Sequence, residues 1–183
     1  MRRAEFEVKV RIPEARLSEI TGRLASLGFS RSGDVYEEDH YFDLRGCPGY
    51  REGAVLRFRK TESDSGAEFK LTYKSPMLLR DVKAREEFET ELRDDSVLKI
   101  LKMLGLRDIV VRKKRSYFTG VELNLSVDVV ECLGSFIEFE EVNPKSAEDF
   151  LAKVRRVLRD LDLDGSELIS ESYLELLLAS SCI

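Results

Sequence analysis

The 183-residue sequence is poor in the residues from which several common sites are built. It has one histidine, His40. One histidine is too few for a histidine-based metal centre and leaves a single residue on which a Ser-His-Asp triad could be built. Its three cysteines are odd in number, far apart and without a CxxC pair, which argues against a disulfide framework or a zinc knuckle: Cys47, Cys132 and Cys182. No apolar run approaches the ~18 residues of a membrane span, so we expect a soluble cytoplasmic protein.

Charge is abundant but balanced. Charged residues make up 36% of the chain, against about 25% in an average globular protein. The 30 basic and 35 acidic residues give a net charge of -5, whereas a general nucleic-acid binder carries a basic excess. With 43% hydrophobic residues the chain can bury a core, and the lack of repeats or linkers predicts a single domain over residues 1–183.

Hydrophobic periodicity predicts four helices and eight strands. Helical spacing of apolar residues occurs in 13–27, 94–104, 146–161 and 172–179. Period-two alternation predicts strands over 5–12, 34–43, 54–61, 67–74, 84–92, 109–119, 123–131 and 135–141. Turn-like joins between strands, such as residues 62–66, favour hairpins and hence a largely antiparallel sheet.

Each strand places its charge on one face. Residues 5–12 read Glu-Phe-Glu-Val-Lys-Val-Arg-Ile, so the apolar and the charged side chains lie on opposite faces. An antiparallel sheet with one solvated face shows this pattern too. Nearly unbroken charge is unusual on an exposed strand, however, and eight strands can close with their charged faces inward. The alternation alone therefore leaves two arrangements open, an antiparallel sheet with one solvated charged face and an eight-stranded barrel with its charged face inward.

Charges inside such a barrel must be paired, bound to metal or neutralised by a ligand. Basic side chains suit a polyanion, and carboxylates suit a hard cation, Mg²⁺ or Mn²⁺, that bridges to phosphate oxygens. A metal-bound phosphate chain is the ligand that this mixture predicts. The basic candidates are Lys9, Arg11, Arg57, Arg59, Lys70, Lys74, Arg85, Lys113 and Arg115; the acidic ones are Glu5, Glu7, Glu87, Glu89, Asp128, Glu138 and Glu140.

Several short motifs occur in an order known from one enzyme family. Residues 5–9 read E-x-E-x-K, and residues 172–177 read S-Y-x-x-L-L. Between them lie D-x-Y-F-D at 39–43, L-R-x-R at 56–59, L-T-x-K-S-P at 71–76, R-x-E-x-E at 85–89, K-x-R at 113–115 and L-G-x-F-x-E-x-E at 133–140. This series resembles the CYTH superfamily, the triphosphate tunnel metalloenzymes, and its closing motif resembles the class IV adenylyl cyclase-like branch. Ser75 stands where the family has glycine.

The resemblance implies an α+β fold, a closed eight-stranded antiparallel β-barrel with amphipathic helices packed on the outside. It also implies a metal-dependent site and a role for each matched residue. The implied ligands of Mg²⁺ or Mn²⁺ are Glu5, Glu7, Asp128, Glu138 and Glu140, with Glu7 and Glu138 as the best candidates for direct contact. The implied catalytic residues that grip the phosphates are Lys9, Arg57, Arg59, Lys113 and Arg115. Lys74 and Arg85 would lie nearer the nucleoside, and Asp39 and Glu87 would orient basic residues.

Three functions stay open on the sequence. A class IV-type adenylyl cyclase would convert ATP to cyclic AMP and pyrophosphate, and we favour it because of the closing motif. A triphosphatase acting on tripolyphosphate, thiamine triphosphate or a nucleoside triphosphate would use the same site. A non-catalytic polyphosphate-binding or nucleotide-binding module is the third alternative. We expect no nucleic-acid or membrane partner, the resemblance allows a homodimer, and His40 is predicted to be a surface or packing residue.

Overall fold

The computed structural model describes residues 5–76, 86–142 and 144–182, and for Glu5 the backbone only. Eight strands and four helices lie in these ranges. The strands are β1 (Glu5–Ile12), β2 (Ser30–Phe42), β3 (Val55–Ser63), β4 (Gly66–Lys74), β5 (Glu87–Leu92), β6 (Asp108–Thr119), β7 (Asn124–Val130) and β8 (Gly134–Val142). The helices are α1 (Leu17–Ser26), α2 (Ser96–Met103), α3 (Ala147–Asp160) and α4 (Tyr173–Leu178).

All the predicted strands and helices are present, and most of their bounds agree within two residues. The strand β2 begins earlier than predicted. The prediction missed residues 30–33 because they are polar or glycine and show no alternation of apolar and polar side chains. A 3-10 turn over Glu14–Arg16 precedes α1, where the sequence predicts helix from residue 13. Within the described ranges, no helix is both long and apolar enough to cross a membrane.

The strands form an antiparallel sheet in the order β1-β8-β7-β6-β2-β3-β4-β5. Strands β2 to β5 pair in succession, and β8 pairs with both β1 and β7. The predicted closure into a barrel is wrong as far as hydrogen bonds are concerned. Strands β1 and β5 end the order, and no pairing joins them in the part of the chain that the structure describes. Period-two alternation assigns side chains to faces but says nothing about edges, so it cannot distinguish an open sheet from a closed one.

The chain divides into two compact units, of which the first comprises residues up to 34 and from 114 onward. Its core lies between one face of the sheet and the helices α1 and α3, as predicted. The core side chains include Val8, Val10, Ile137 and Phe139 from the strands and Ile20, Leu24, Phe150, Val154 and Leu158 from the helices. The side chain of Ser146 caps α3 by accepting the backbone N–H of Asp149. The helices thus cover the apolar face of these strands. The opposite face of the strands carries the charged side chains.

The second unit comprises residues 35–113. Phe58 of β3 is fully buried there, and its ring contacts those of Phe69 and His40 at centroid distances of 6.1 and 5.9 Å. The helix α2 departs from the predicted packing, because its side chains are only partly buried or exposed. Met103, at its end, is 88% exposed.

Candidate functional site

Strand register orders the charged face of the first unit. Lys9 of β1 lies opposite Glu138 of β8, and Glu138 lies opposite Ser126 of β7. In the next row of the same face, Glu7 lies opposite Glu140. Like charges in directly opposed positions of an antiparallel pair destabilise it. This pair of glutamates therefore favours a cation beside it.

Lys9 supplies part of that positive charge from a buried position. Its side chain is 1% exposed, and its Nζ lies 2.7 Å from Glu7 Oε1 and 3.6 Å from Glu138 Oε2. The ammonium also donates to the backbone carbonyl of Glu171 at 3.0 Å and lies 5.3 Å from the ring centroid of Tyr173. Partial burial of Glu7 disfavours its charge, but the charge and hydrogen bond of Lys9 outweigh burial, so the pKa of Glu7 is lowered.

A network of ion pairs joins β6, β7 and β8. Arg115 donates to both oxygens of Asp128, through Nε at 2.7 Å and Nη2 at 2.5 Å, and Nη2 also donates to Glu138 Oε1 at 2.6 Å. The hydroxyl of Tyr173 donates to Asp128 Oδ2 at 2.7 Å. Burial, together with the charges of Asp128 and Glu138, raises the pKa of Tyr173 well above its ordinary value, so its hydroxyl remains a donor.

The charged side chains on this face of β1, β6, β7 and β8 form what we call the first cluster, which is rich in carboxylates. It contains four acidic side chains and two basic ones, namely Glu7, Asp128, Glu138 and Glu140 with Lys9 and Arg115. No group of three or more His, Cys, Asp or Glu side chains among the described residues forms a ready metal site. Mg²⁺ commonly binds only one or two protein carboxylates and completes its shell with water and phosphate oxygens. The residues present thus fit a metal that binds together with phosphate rather than one held in an all-protein cage.

The predicted metal ligands fall into three classes. Glu7, Glu138 and Glu140 lie on one face of β1 and β8. Asp128 of β7 belongs to the same ion-pair network, but both its oxygens already accept from Arg115. Glu5 begins β1, and its side chain lies outside what the structure describes.

The second unit carries a separate cluster built around Asp39. Its Oδ1 and Oδ2 accept Arg59 Nε and Nη2 at 2.6 and 2.7 Å, and Lys113 Nζ donates to Oδ2 at 3.1 Å. Glu37, two residues earlier on β2, lies 3.2 Å from Arg59 Nη1 and 2.7 Å from Lys113 Nζ. Burial disfavours the charge of Asp39, but Arg59 and Lys113 outweigh it and hold the pKa of Asp39 far below its ordinary value.

Arg57 adds a third cation to this cluster. Its Nε lies 3.8 Å from Asp39 Oδ1, beyond hydrogen-bond distance, and has no hydrogen-bond partner among the described residues although the atom is buried. Tyr41 lies opposite Arg57 in the β2/β3 register, and burial and the charge of Asp39 raise the pKa of Tyr41. Among the residues that the structure describes, three cations thus lie around two carboxylates, and the buried Nε–H of Arg57 has no acceptor.

Less buried ion pairs occupy the β4/β5 hairpin. Lys74 Nζ lies 3.1 Å from Glu87 Oε2, and Lys70 Nζ lies 2.8 Å from Glu89 Oε1. The pKa of Glu89 is lowered chiefly by its hydrogen bond with Lys70. Lys74, which the resemblance places near the nucleoside, therefore pairs with Glu87, to which it assigns the orienting of basic residues. Arg85, assigned to the nucleoside end with Lys74, lies outside the described residues.

Three groups in these clusters escaped the sequence prediction. Glu37 could have been found, because it lies two residues before Asp39 and alternation places both on one face of β2. Tyr173 belongs to the closing motif, but nothing in the motif says that its hydroxyl reaches Asp128, 45 residues away along the chain. Glu171 contributes a backbone carbonyl, which side-chain patterns do not reveal.

His40 lies on the other face of β2 from Asp39. It is 4% exposed and packs edge-on against Phe58, in agreement with the predicted packing role. Its Nδ1 lies 2.5 Å from Asp108 Oδ2, and its Nε2 lies 2.8 Å from Glu38 Oε1. Both ring nitrogens are therefore engaged by carboxylates, which the sequence did not suggest.

Comparison with known proteins points to one family. Residues 3–173 match the CYTH domain family. The chain is 31% identical to a Methanocaldococcus jannaschii protein named "Putative adenylate cyclase MJ0240", over 94% of this chain and 97% of that protein. The solved structure of the PH1819 protein from Pyrococcus horikoshii OT3 superposes with a TM-score of 0.71 at 29% identity, covering 96% of this chain and 98% of that chain.

A more distant solved structure shares the fold. HpAC1 from Hippeastrum, described as a "putative adenylyl cyclase" with a dominant triphosphatase activity, superposes with a TM-score of 0.65 at 17% identity. The superposition covers 100% of this chain and 98% of that chain. The eight-stranded antiparallel sheet with few helices is thus a fold that these proteins have in common.

Proposed function

Since the chain belongs to the CYTH domain family, we propose that it is a divalent-metal-dependent enzyme that acts on a triphosphate. The reaction that we favour is that of a class IV-type adenylyl cyclase, which converts ATP to cyclic AMP and pyrophosphate. The name of the M. jannaschii relative and the closing motif at residues 172–177 support this choice.

The opposite charge surpluses of the two clusters support a metal and a phosphate chain as ligands. Among the described residues, the first cluster has four carboxylates and two cations, and Glu7 lies directly opposite Glu140, so a divalent cation would offset like charges there. The second cluster has three cations and two carboxylates, so it favours an anion. Considered unit by unit, the first cluster therefore suits a divalent cation and the second suits phosphate oxygens. This is the observation on which we base the function.

In the first cluster, Glu7, Glu138 and Glu140 would hold Mg²⁺ or Mn²⁺, with Glu5 as a further candidate. The metal, when bound, would polarise phosphoryl oxygens and offset charge on the leaving group. Lys9 keeps Glu7 ionised, which a hard cation requires of its ligand. Asp128, which also accepts from the hydroxyl of Tyr173, holds the guanidinium of Arg115 in place. We therefore assign Asp128 to positioning Arg115 rather than to direct metal contact.

In the second cluster, Arg57, Arg59 and Lys113 would bind phosphate oxygens. Asp39 and Glu37 hold Arg59 and Lys113 in fixed positions, so their donors need no reorganisation when charge develops in the transition state. Arg57 offers a buried Nε donor that has no hydrogen-bond partner among the described residues. Positioned cations of this kind supply most of the catalysis in phosphoryl transfer. Lys74, paired with Glu87, would lie toward the nucleoside.

A triphosphatase is the second candidate. In the cyclase, the ribose 3′-hydroxyl attacks the α-phosphorus and the bond to pyrophosphate breaks, whereas in the triphosphatase water attacks the terminal phosphorus. Both reactions need the same carboxylates and cations and differ in which phosphorus the nucleophile reaches. The triphosphatase activity described for HpAC1, which shares the fold, favours keeping this alternative.

Product analysis distinguishes the candidates. The protein is incubated separately with ATP, thiamine triphosphate and tripolyphosphate, each with Mg²⁺ or Mn²⁺, and the products are separated by anion-exchange chromatography. We expect cyclic AMP and pyrophosphate in equal amounts from ATP. Orthophosphate without cyclic AMP would establish the triphosphatase instead. Binding of a triphosphate without any product would reject both enzymes in favour of a binding module.

A further inference from the structure

Two cysteines that are far apart in the sequence meet at one end of the first unit. Cys132 lies in the turn between β7 and β8, and Cys182 lies after α4, 50 residues later. The Sγ of Cys182 lies 3.9 Å from the backbone oxygen of Cys132. Both residues are exposed and both thiols are free. Cys47, the third cysteine, belongs to the other unit.

The side chain of Cys182 thus lies against residue Cys132. Its hydrogen bond is also the main cause of a raised pKa for the Cys132 thiol. Exposure leaves both open to a small oxidant in solution. Two exposed cysteines that lie against each other supply the thiols from which a disulfide forms.

We propose that Cys132 and Cys182 form an intramolecular disulfide when the protein meets a small-molecule disulfide such as oxidised glutathione. One cysteine thiolate attacks the oxidant, forming a mixed disulfide and releasing one glutathione thiol. The second cysteine thiolate attacks the protein sulfur of that mixed disulfide and releases the second glutathione. The two cysteines lose two protons and two electrons in all, and oxidised glutathione is reduced to two molecules of the thiol.

The crosslink would hold the C-terminal segment onto the strand that carries Asp128. The hydroxyl of Tyr173, at the start of α4, bonds Asp128 of β7, and the carbonyl of Glu171 accepts from Lys9. Cys132 follows β7 and Cys182 follows α4, so a covalent bond between them joins the far ends of both elements. It closes a loop of about 50 residues, which removes conformational freedom from the unfolded chain.

The test uses the full chain in its wild-type form. Dilute reduced protein is incubated with oxidised glutathione at about pH 8.5, where cysteine is partly ionised, and its intact mass is measured without reductant. We expect a monomer lighter by two hydrogen atoms, with one thiol, Cys47, still open to alkylation. Peptide mapping without reductant should then join the peptides of Cys132 and Cys182. The melting temperature should rise by roughly 5–15 °C and return on reduction.

Matched variants identify the pair. Cys47→Ser should still form the crosslink and gain the same thermal shift, whereas Cys132→Ser and Cys182→Ser should each lose both. Stable glutathione adducts on Cys132 and Cys182 without a crosslink would overturn the proposal. So would a disulfide that includes Cys47, or one that joins two chains. The peptide map of the wild-type protein decides the matter even if a variant folds poorly, and it does not depend on the proposed enzyme activity.

Discussion

Replacing Asp39 by asparagine removes the charge at the centre of the second cluster and keeps the shape of the side chain. Asp39 is 1% exposed and accepts three hydrogen bonds from Arg59 and Lys113. In the variant, Glu37 would be the one carboxylate left for the three cations of the cluster. Removing one partner from a buried ion pair costs about 3–5 kcal/mol, because the remaining charges stay buried without compensation.

For a protein of this size, each kcal/mol lowers the melting temperature by roughly 2–4 °C, so we expect a fall of roughly 6–20 °C. Urea unfolding at neutral pH gives the free energy directly. Asp43→Asn is the matched control, because Asp43 pairs with Arg45, whose side chain is 78% exposed. Such exposed pairs contribute about 0–1 kcal/mol. Equal free energies of unfolding for the two variants would refute the conclusion that Asp39 holds a buried network together.

Three further outcomes follow from the same contacts. Tyr173→Phe should lower the free energy of unfolding by about 1.5–3 kcal/mol in urea titrations, because it removes a hydrogen bond to the charged Asp128; an unchanged value would contradict that bond. Folding lowers the pKa values of Glu7 and Asp39. The stability that these two ionised carboxylates give the folded protein is therefore complete above their pKa values in the unfolded chain, and it is lost as the pH falls toward and through their pKa values in the folded protein. The melting temperature should therefore drop between about pH 5 and pH 3, and a flat profile there would count against both ion pairs. Tripolyphosphate or ATP with Mg²⁺, at ~100-fold excess over Kd, should stabilise the fold by ~2.7 kcal/mol, and no thermal shift with any triphosphate would speak against the proposed ligand.

The faces of the strands could be predicted from the sequence because alternation is a local property. In residues 5–12 the apolar side chains pack against helices, and Lys9 lies buried on the opposite face. The same rule would have added Glu37 to the site through its spacing from Asp39.

Contacts between distant segments could not be predicted in this way. The bond of Tyr173 to Asp128 depends on where α4 packs, and the contact of Cys182 with Cys132 depends on where the chain runs after it. Closure of the sheet depends on edge pairing, which a period-two pattern does not encode. The motif implies only an orienting role for Asp39. In the structure both its oxygens accept from Arg59, which the register places opposite it, and Oδ2 also accepts from Lys113.

The most direct test of a metal-dependent triphosphate site compares Glu138→Gln with the wild-type protein. Glu138 contacts both Lys9 and Arg115 and lies on the face proposed to hold the metal. Glu167→Gln, at an exposed position, is the matched control. Turnover of the preferred triphosphate with Mg²⁺ should fall by about 100-fold or more in Glu138→Gln alone, while calorimetry without metal should show nearly unchanged tripolyphosphate binding. Full turnover in Glu138→Gln would contradict a catalytic metal at this face.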